Sequence, residues 1–140
     1  MSRAEQAQRP SLTLIKDIMD AQAIAALAVE ALEDIKGKDI INLDTHKLTD
    51  LFQRMVVCTG DSNRQVKALA NSVHVKLKEN GVDIVGTEGE ASGEWVLVDA
   101  GDVVVHVMLP AVRDYYDIEA LWGGEKPSFS PNAARPWSAL

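Results

Sequence analysis

Glu94-Trp-Val-Leu-Val-Asp99, the link Ala100-Gly101 and Asp102-Val-Val-Val-His-Val-Met-Leu109 carry the strongest structural signal in the chain. Two runs rich in β-branched residues, separated by a two-residue link that contains glycine, specify a β-hairpin. Side chains alternate between the faces of a strand, so His106 shares a face with Val104 and Met108, opposite Val103, Val105 and Val107.

Upstream of the hairpin, Val82 to Gly86 reads as a short strand, followed by a Gly- and Glu-rich turn region from Thr87 to Gly93. Asn63 to Asn80 places Val66, Leu69, Ala70, Val73 and Leu77 on one helical face and is stopped by Gly81. Asp39 to Asp44 and Arg54 to Thr59 are brief runs of branched residues and read as strands; His46 to Gln53 between them is too polar and short to assign. From Leu12 to Lys36, Leu14, Ile18, Ala25, Ala28, Leu32 and Ile35 form one stripe of an amphipathic helix, with Ser11 as a candidate N-cap and Gly37 at the expected left-handed C-cap. Downstream, Pro110 suits the first turn of a helix running to about Trp122, with Val112, Tyr116 and either Ile118 or Glu119 on related faces, ended by Gly123-Gly124.

The order helix, strand, strand, helix, three strands, helix implies an α/β fold, a mixed β-sheet of about five strands with helices packed on it, since an amphipathic helix must bury its stripe. Residues 1–10 read as a flexible lead, 11–123 as a single α/β domain and 124–140 as a tail holding three of the five prolines. A length of 140 residues agrees with one core, given that domains organise roughly 100 to 200 residues each.

Hydrophobic residues at 46% and charged residues at 25% exclude a globally disordered or fibrous chain. The net charge of −7 lies in one place: no Lys or Arg occurs between Lys78 and Arg113, whereas Glu79, Asp83, Glu88, Glu90, Glu94, Asp99 and Asp102 do. Such a balance disfavours strong direct binding to nucleic acid or anionic lipid and favours a basic partner. One cysteine, Cys58, excludes an internal disulfide, and with three scattered histidines it makes no zinc site of usual spacing. The N-terminal MSRAEQAQRPSLTLIKDIMDAQ lacks an apolar run followed by a small-residue cleavage site, and nothing approaches the roughly 20 apolar residues of a membrane span. A cytoplasmic protein is expected, without cofactor or metal.

Three constellations bear on chemistry. Thr59-Gly-Asp-Ser-Asn-Arg-Gln65 joins a strand to a helix start, where free amides with Arg64 and Lys67 can attract a phosphate; it lacks a Walker lysine and the three glycines of a dinucleotide fingerprint, and capping by Asp61 or Ser62 with Gly60 turning the strand is the favoured reading. Asp99 and Asp102, with Glu94 and His106, are a candidate metal-holding set for phosphoryl or nucleotidyl transfer, although the two aspartates flank one tight turn and can serve its amides. His106 reads as structural or active, and Cys58 as a buried thiol. The third is aromatic: Trp95, then Tyr115, Tyr116, Leu121 and Trp122, in a chain only 5% aromatic. These residues pack cores, and they also anchor interfaces, at roughly 2 kcal/mol or more each when they fill a partner's pocket.

Asp39-Ile-Ile-Asn-Leu-Asp44, Thr59-Gly-Asp-Ser-Asn-Arg-Gln65, the hairpin from Glu94 to His106 and Arg113-Asp-Tyr-Tyr-Asp-Ile-Glu-Ala-Leu-Trp122 resemble the ribosomal silencing factor family, also called RsfS or Iojap, from about Ile35 to Gly123. The resemblance implies a compact domain similar in outline to nucleotidyltransferases, not an enzyme, that binds a ribosomal protein of the L-fourteen family on the large subunit. Occupation of that site blocks small-subunit joining and represses translation. Carried across by position, the interface includes Trp95, Tyr116, Leu121 and Trp122, and the acidic hairpin residues Asp99 and Asp102 suit a basic ribosomal protein. Leu51-Phe-Gln-Arg54 departs from the family's usual entry to its strand, and both termini vary in the family. A metal-dependent nucleotidyl- or phosphotransferase is the alternative, and an edge strand or the first helix can support a homodimer of the free protein.

Overall fold

In the computed structural model, which describes residues 20–121, the hairpin is the centre of a five-stranded sheet. The strands are β1 (Lys38–Asp44), β2 (Arg54–Thr59), β3 (Gly86–Glu88), β4 (Trp95–Asp99) and β5 (Val103–Met108), in the order β1-β2-β5-β4-β3. β2 and β5 pair in parallel and the other neighbours antiparallel, so the sheet is mixed, as expected. Helices α1 (Ala21–Asp34), α2 (Asn63–Glu79), α3 (Pro110–Tyr116) and α4 (Ile118–Leu121) complete the described chain. No helix among the described residues is long and apolar enough to cross a membrane.

The hairpin link is shifted by one residue from the expected one. Ala100 N donates to Val103 O at 2.9 Å, leaving Gly101 and Asp102 as the two link residues, and Gly101 takes φ +84°. A tight two-residue link needs a positive φ, which glycine adopts without a Cβ clash; Ala100 therefore stays in the ladder. Asp99 Oδ1 accepts from Gly101 N at 2.8 Å and steadies the turn.

α1 and α2 cover one sheet face. Ala25, Ala28 and Leu32 from α1, with Val66, Leu69, Ala70, Val73 and Leu77 from α2, are buried against Val56, Cys58, Val96, Val98, Val103, Val105 and Val107. The alanine stripe lets the two helices approach closely, and Ser72 Oγ donates to Ala31 O across them at 2.9 Å. α2 is capped as read: Ser62 Oγ accepts from Gln65 N at 3.1 Å, and Gly81 with φ +80° closes the other end.

Several expectations are corrected. The first helix starts at Ala21 on an extended Asp20, whose carboxylate accepts from Ala23 N at 3.0 Å, so it does not run unbroken from Leu12; Ser11, Leu14, Ile18 and the 1–10 lead lie outside the described residues. The left-handed residue after α1 is Lys36 (φ 62°), with Lys36 N and Gly37 N donating to Glu33 O and Leu32 O, and Ile35 is about one-third exposed instead of continuing the buried stripe. Gly37 is required for a different reason: a Cβ there would overlap Cys58 Sγ. The third strand begins at Gly86 instead of Val82, because Val82 and Ile84 turn inward onto the helical core while only Gly86 to Glu88 reach register with β4. The expected helix from Pro110 to Trp122 breaks at Asp117, whose φ of 50° ends α3 and starts α4. Trp122 and the 124–140 tail lie outside the described residues.

Candidate protein-docking face

The second sheet face has a different composition. Register puts Trp95, Leu97 and Asp99 of β4 beside Met108, His106 and Val104 of β5, and Met55 and Val57 of β2 continue the same face. Along β4 the residues under the helices, Val96 and Val98, are fully buried, whereas Trp95, Leu97 and Asp99 are only half-buried. α3 and α4 cover part of this face through Val112, Tyr116 and Ile118, which pack with Met55, Val57 and Met108.

At that boundary an aromatic array forms. The Trp95 and Tyr116 rings lie 5.0 Å apart at 39°, and Tyr115 meets Tyr116 edge-on at 4.8 Å. Such tilted and edge geometries are the favoured ones for aromatic pairs. Trp95 Nε1 donates to His106 Nδ1 at 2.9 Å, with the two rings 5.9 Å apart. Burial holds the His106 pKa down at about 4, so at neutral pH the ring is neutral and Nδ1 is free to accept. Tyr115 is largely exposed at the end of this array, and Leu121 is an exposed apolar residue. The expected site residues Trp95 and Tyr116 are therefore in contact. Asp99 stands two pleats along β4 from Trp95, Asp102 is exposed in the link and Leu121 ends α4.

Arg113 and Glu119 went unmarked as site residues in the sequence reading, yet they place α3 and α4. Arg113 Nε donates to Glu119 Oε2 at 3.0 Å, and its Nη1 donates to Asp39 O at 2.6 Å and Thr59 Oγ1 at 2.8 Å. One guanidinium thus ties both short helices to the start of β1 and the end of β2, and through them sets Tyr116 against Trp95. The available signal was Glu119 on the apolar side of the helical pattern, since a carboxylate there needs a buried cation.

The other constellations are occupied by structure. In the turn after β2, Asp61 N donates to Gln65 Oε1 at 2.7 Å, Gln65 N is taken by Ser62, and Asp61 itself holds Lys38 at 2.7 Å, raising the lysine's pKa. An incoming phosphate would meet the Asp61 carboxylate, with the Asp61 and Gln65 amides already used. The Asp99 carboxylate accepts from Gly101 N, and the Asp102 main-chain carbonyl accepts from Gln53 N and Arg54 N, so the Asp99 side chain and the Asp102 backbone serve the hairpin corner while the Asp102 side chain stands exposed. Among the described residues no group of three His, Cys, Asp or Glu side chains is arranged to hold a metal.

A family model described as ribosomal silencing factor during starvation, RsfS, matches residues 18–138. The ribosomal silencing factor RsfS of Chromobacterium violaceum is 82% identical over 122 residues, which is 87% of this chain and all of that protein. A crystal structure of a Chromobacterium violaceum protein, also 82% identical, superposes with a TM-score of 0.76 over 85% of this chain and 99% of its own. A mouse protein named for mitochondrial assembly of the ribosomal large subunit is 34% identical over 79 residues, 54% of this chain and 33% of its own length.

Proposed function

From the premise that this chain belongs to the ribosomal silencing factor family RsfS, we propose that it represses translation by seating its half-covered sheet face on a protein of the L-fourteen type in the large ribosomal subunit, so that the small subunit cannot join. The aromatic array carries this reading. Trp95, Tyr116 and Tyr115 stand together at the edge of the one sheet face that the two long helices leave uncovered. A mixed apolar and aromatic surface of that kind gains from burial against a partner, and residues of these types supply most of the energy at protein interfaces.

Charge supports the same orientation. Asp99 and Asp102 lie on or beside this face, within the stretch that holds the whole negative excess of the chain, and a basic ribosomal protein complements them. The mechanism is steric: a patch of roughly 800 Å² is a standard protein interface and needs no turnover. Leu121, at the exposed end of α4, and Trp122, the next residue in the sequence, belong to the proposed contact. The relatives carry regulatory names, and the hydrogen bonds around Gly60 and the hairpin corner are those of a scaffold.

Purified subunits provide the test. Added protein should lower the fraction of joined ribosomes in a sucrose gradient, and Trp95→Glu should lose both this effect and co-sedimentation with large subunits while keeping a native circular dichroism spectrum. Retention of both by the variant would place the docking face elsewhere.

A further inference from the structure

His106 stands in a run of valines, where an apolar residue would pack as well or better. Its nearest cross-strand neighbours are apolar: Leu97 is directly opposite on β4, and Val57 directly opposite on β2. Trp95 pairs with Met108, so Trp95 and His106 are diagonal neighbours, a separation that only long or aromatic side chains bridge. They bridge it by a hydrogen bond of 2.9 Å from the indole N–H to Nδ1. A half-buried indole N–H without a partner would turn toward water, and the cross-strand neighbours of the two residues, Met108 and Leu97, carry no strong acceptor.

We infer that His106 is a positioning residue for ribosome docking: its Nδ1 accepts the Trp95 indole N–H and holds that ring against Tyr116 in the orientation the partner receives. The inference rests on the docking face proposed above. The order His106, Trp95, Tyr116, Tyr115 is a continuous chain of ring contacts from the middle of β5 to the end of α3. Fixing the ring before contact removes the entropic cost of ordering it on binding, which is the general source of affinity from preorganisation.

Two substitutions separate positioning from packing. His106→Asn keeps an acceptor oxygen at the place of Nδ1, whereas His106→Leu fills the space without one. His106→Leu should bind purified large subunits about tenfold more weakly, with an unfolding midpoint equal to or above the wild type, and His106→Asn should stay within about threefold of the wild type. The indole N–H resonance of Trp95, assigned by its absence in Trp95→Phe, should lose solvent protection in His106→Leu and retain it in His106→Asn. Wild-type affinity and a protected indole in His106→Leu would overturn the inference, as would equal weakening by both variants. If Trp95→Glu abolishes binding and His106→Leu does not, positioning alone fails; if Trp95→Glu still binds, the docking face fails.

Discussion

Arg113 and Glu119 are joined by a 3.0 Å hydrogen bond between side chains that are 5% and 0% exposed, across the break in the helical segment at Asp117. Buried charges of this kind are costly to desolvate, and the arginine is the partner that holds Glu119 through Oε2, since Glu119 Oε1 is buried without a hydrogen-bond partner among the described residues. Here the guanidinium also satisfies Asp39 O and Thr59 Oγ1, so one side chain fixes four segments of chain.

Arg113→Met should therefore destabilise the protein by about 3 kcal/mol or more, because it leaves Glu119 buried and unpaired. Urea denaturation measures this. The double variant Arg113→Met with Glu119→Leu should recover a large part of the loss, which is the sign of coupling in a double-mutant cycle. Additive losses would contradict the pairing.

The low pKa of His106, about 4, sets the direction of a pH effect. The unfolded imidazole titrates near 6.5 and takes up a proton that the folded one refuses, so stability is full above about pH 6.5 and falls as the pH drops toward 4. Between pH 7.5 and 5.5 this residue should remove about 1.4 kcal/mol. The loss of stability over that interval, read from urea midpoints, should be smaller by this amount in His106→Asn.

Cys58 is fully buried in β2, and desolvation pushes its thiol up to about 11. At pH 8 only roughly one thiol in a thousand would ionise, and reagent cannot reach it. A disulfide-exchange reagent should label nothing in the native protein over minutes and one thiol per chain in urea. Rapid native labelling would show that β2 opens far more readily than its burial implies.

Gly37→Ala should cost about 1–3 kcal/mol, since the new methyl group meets Cys58 Sγ and the Leu69 side chain. Shortening the neighbour tests the cause: in a Cys58→Ala background the same substitution should cost visibly less. An equal cost in both backgrounds would assign the effect to Leu32 O and Leu69 Cδ2, each 3.2 Å from that position.

Much of the framework was legible because local periodicity and the tertiary environment agree. All five apolar residues read on α2 are buried, Gly81 ends it, and the β4–β5 hairpin forms from the two valine-rich runs. Where local signals and packing compete, the reading failed by a few residues. Val82 and Ile84 look like a strand and serve as core plugs, and Gly37 looks like a left-handed cap and serves as a space for sulfur.

The mixed α/β class, the hairpin with its valine-rich core and the concentration of negative charge beside it are all readable from the amino acids alone, because each follows from residues close together in the chain. The sequence also identified Trp95 and Tyr116 as candidates by type. That those two rings meet, that His106 holds one of them, and that Arg113 anchors the helices carrying the other emerges from the folded arrangement. The physical reason is that hydrogen-bond partners and desolvation depend on which distant segments the sheet brings together. Asp39 and Arg113 are 74 residues apart in sequence and 2.6 Å apart at their bonded atoms.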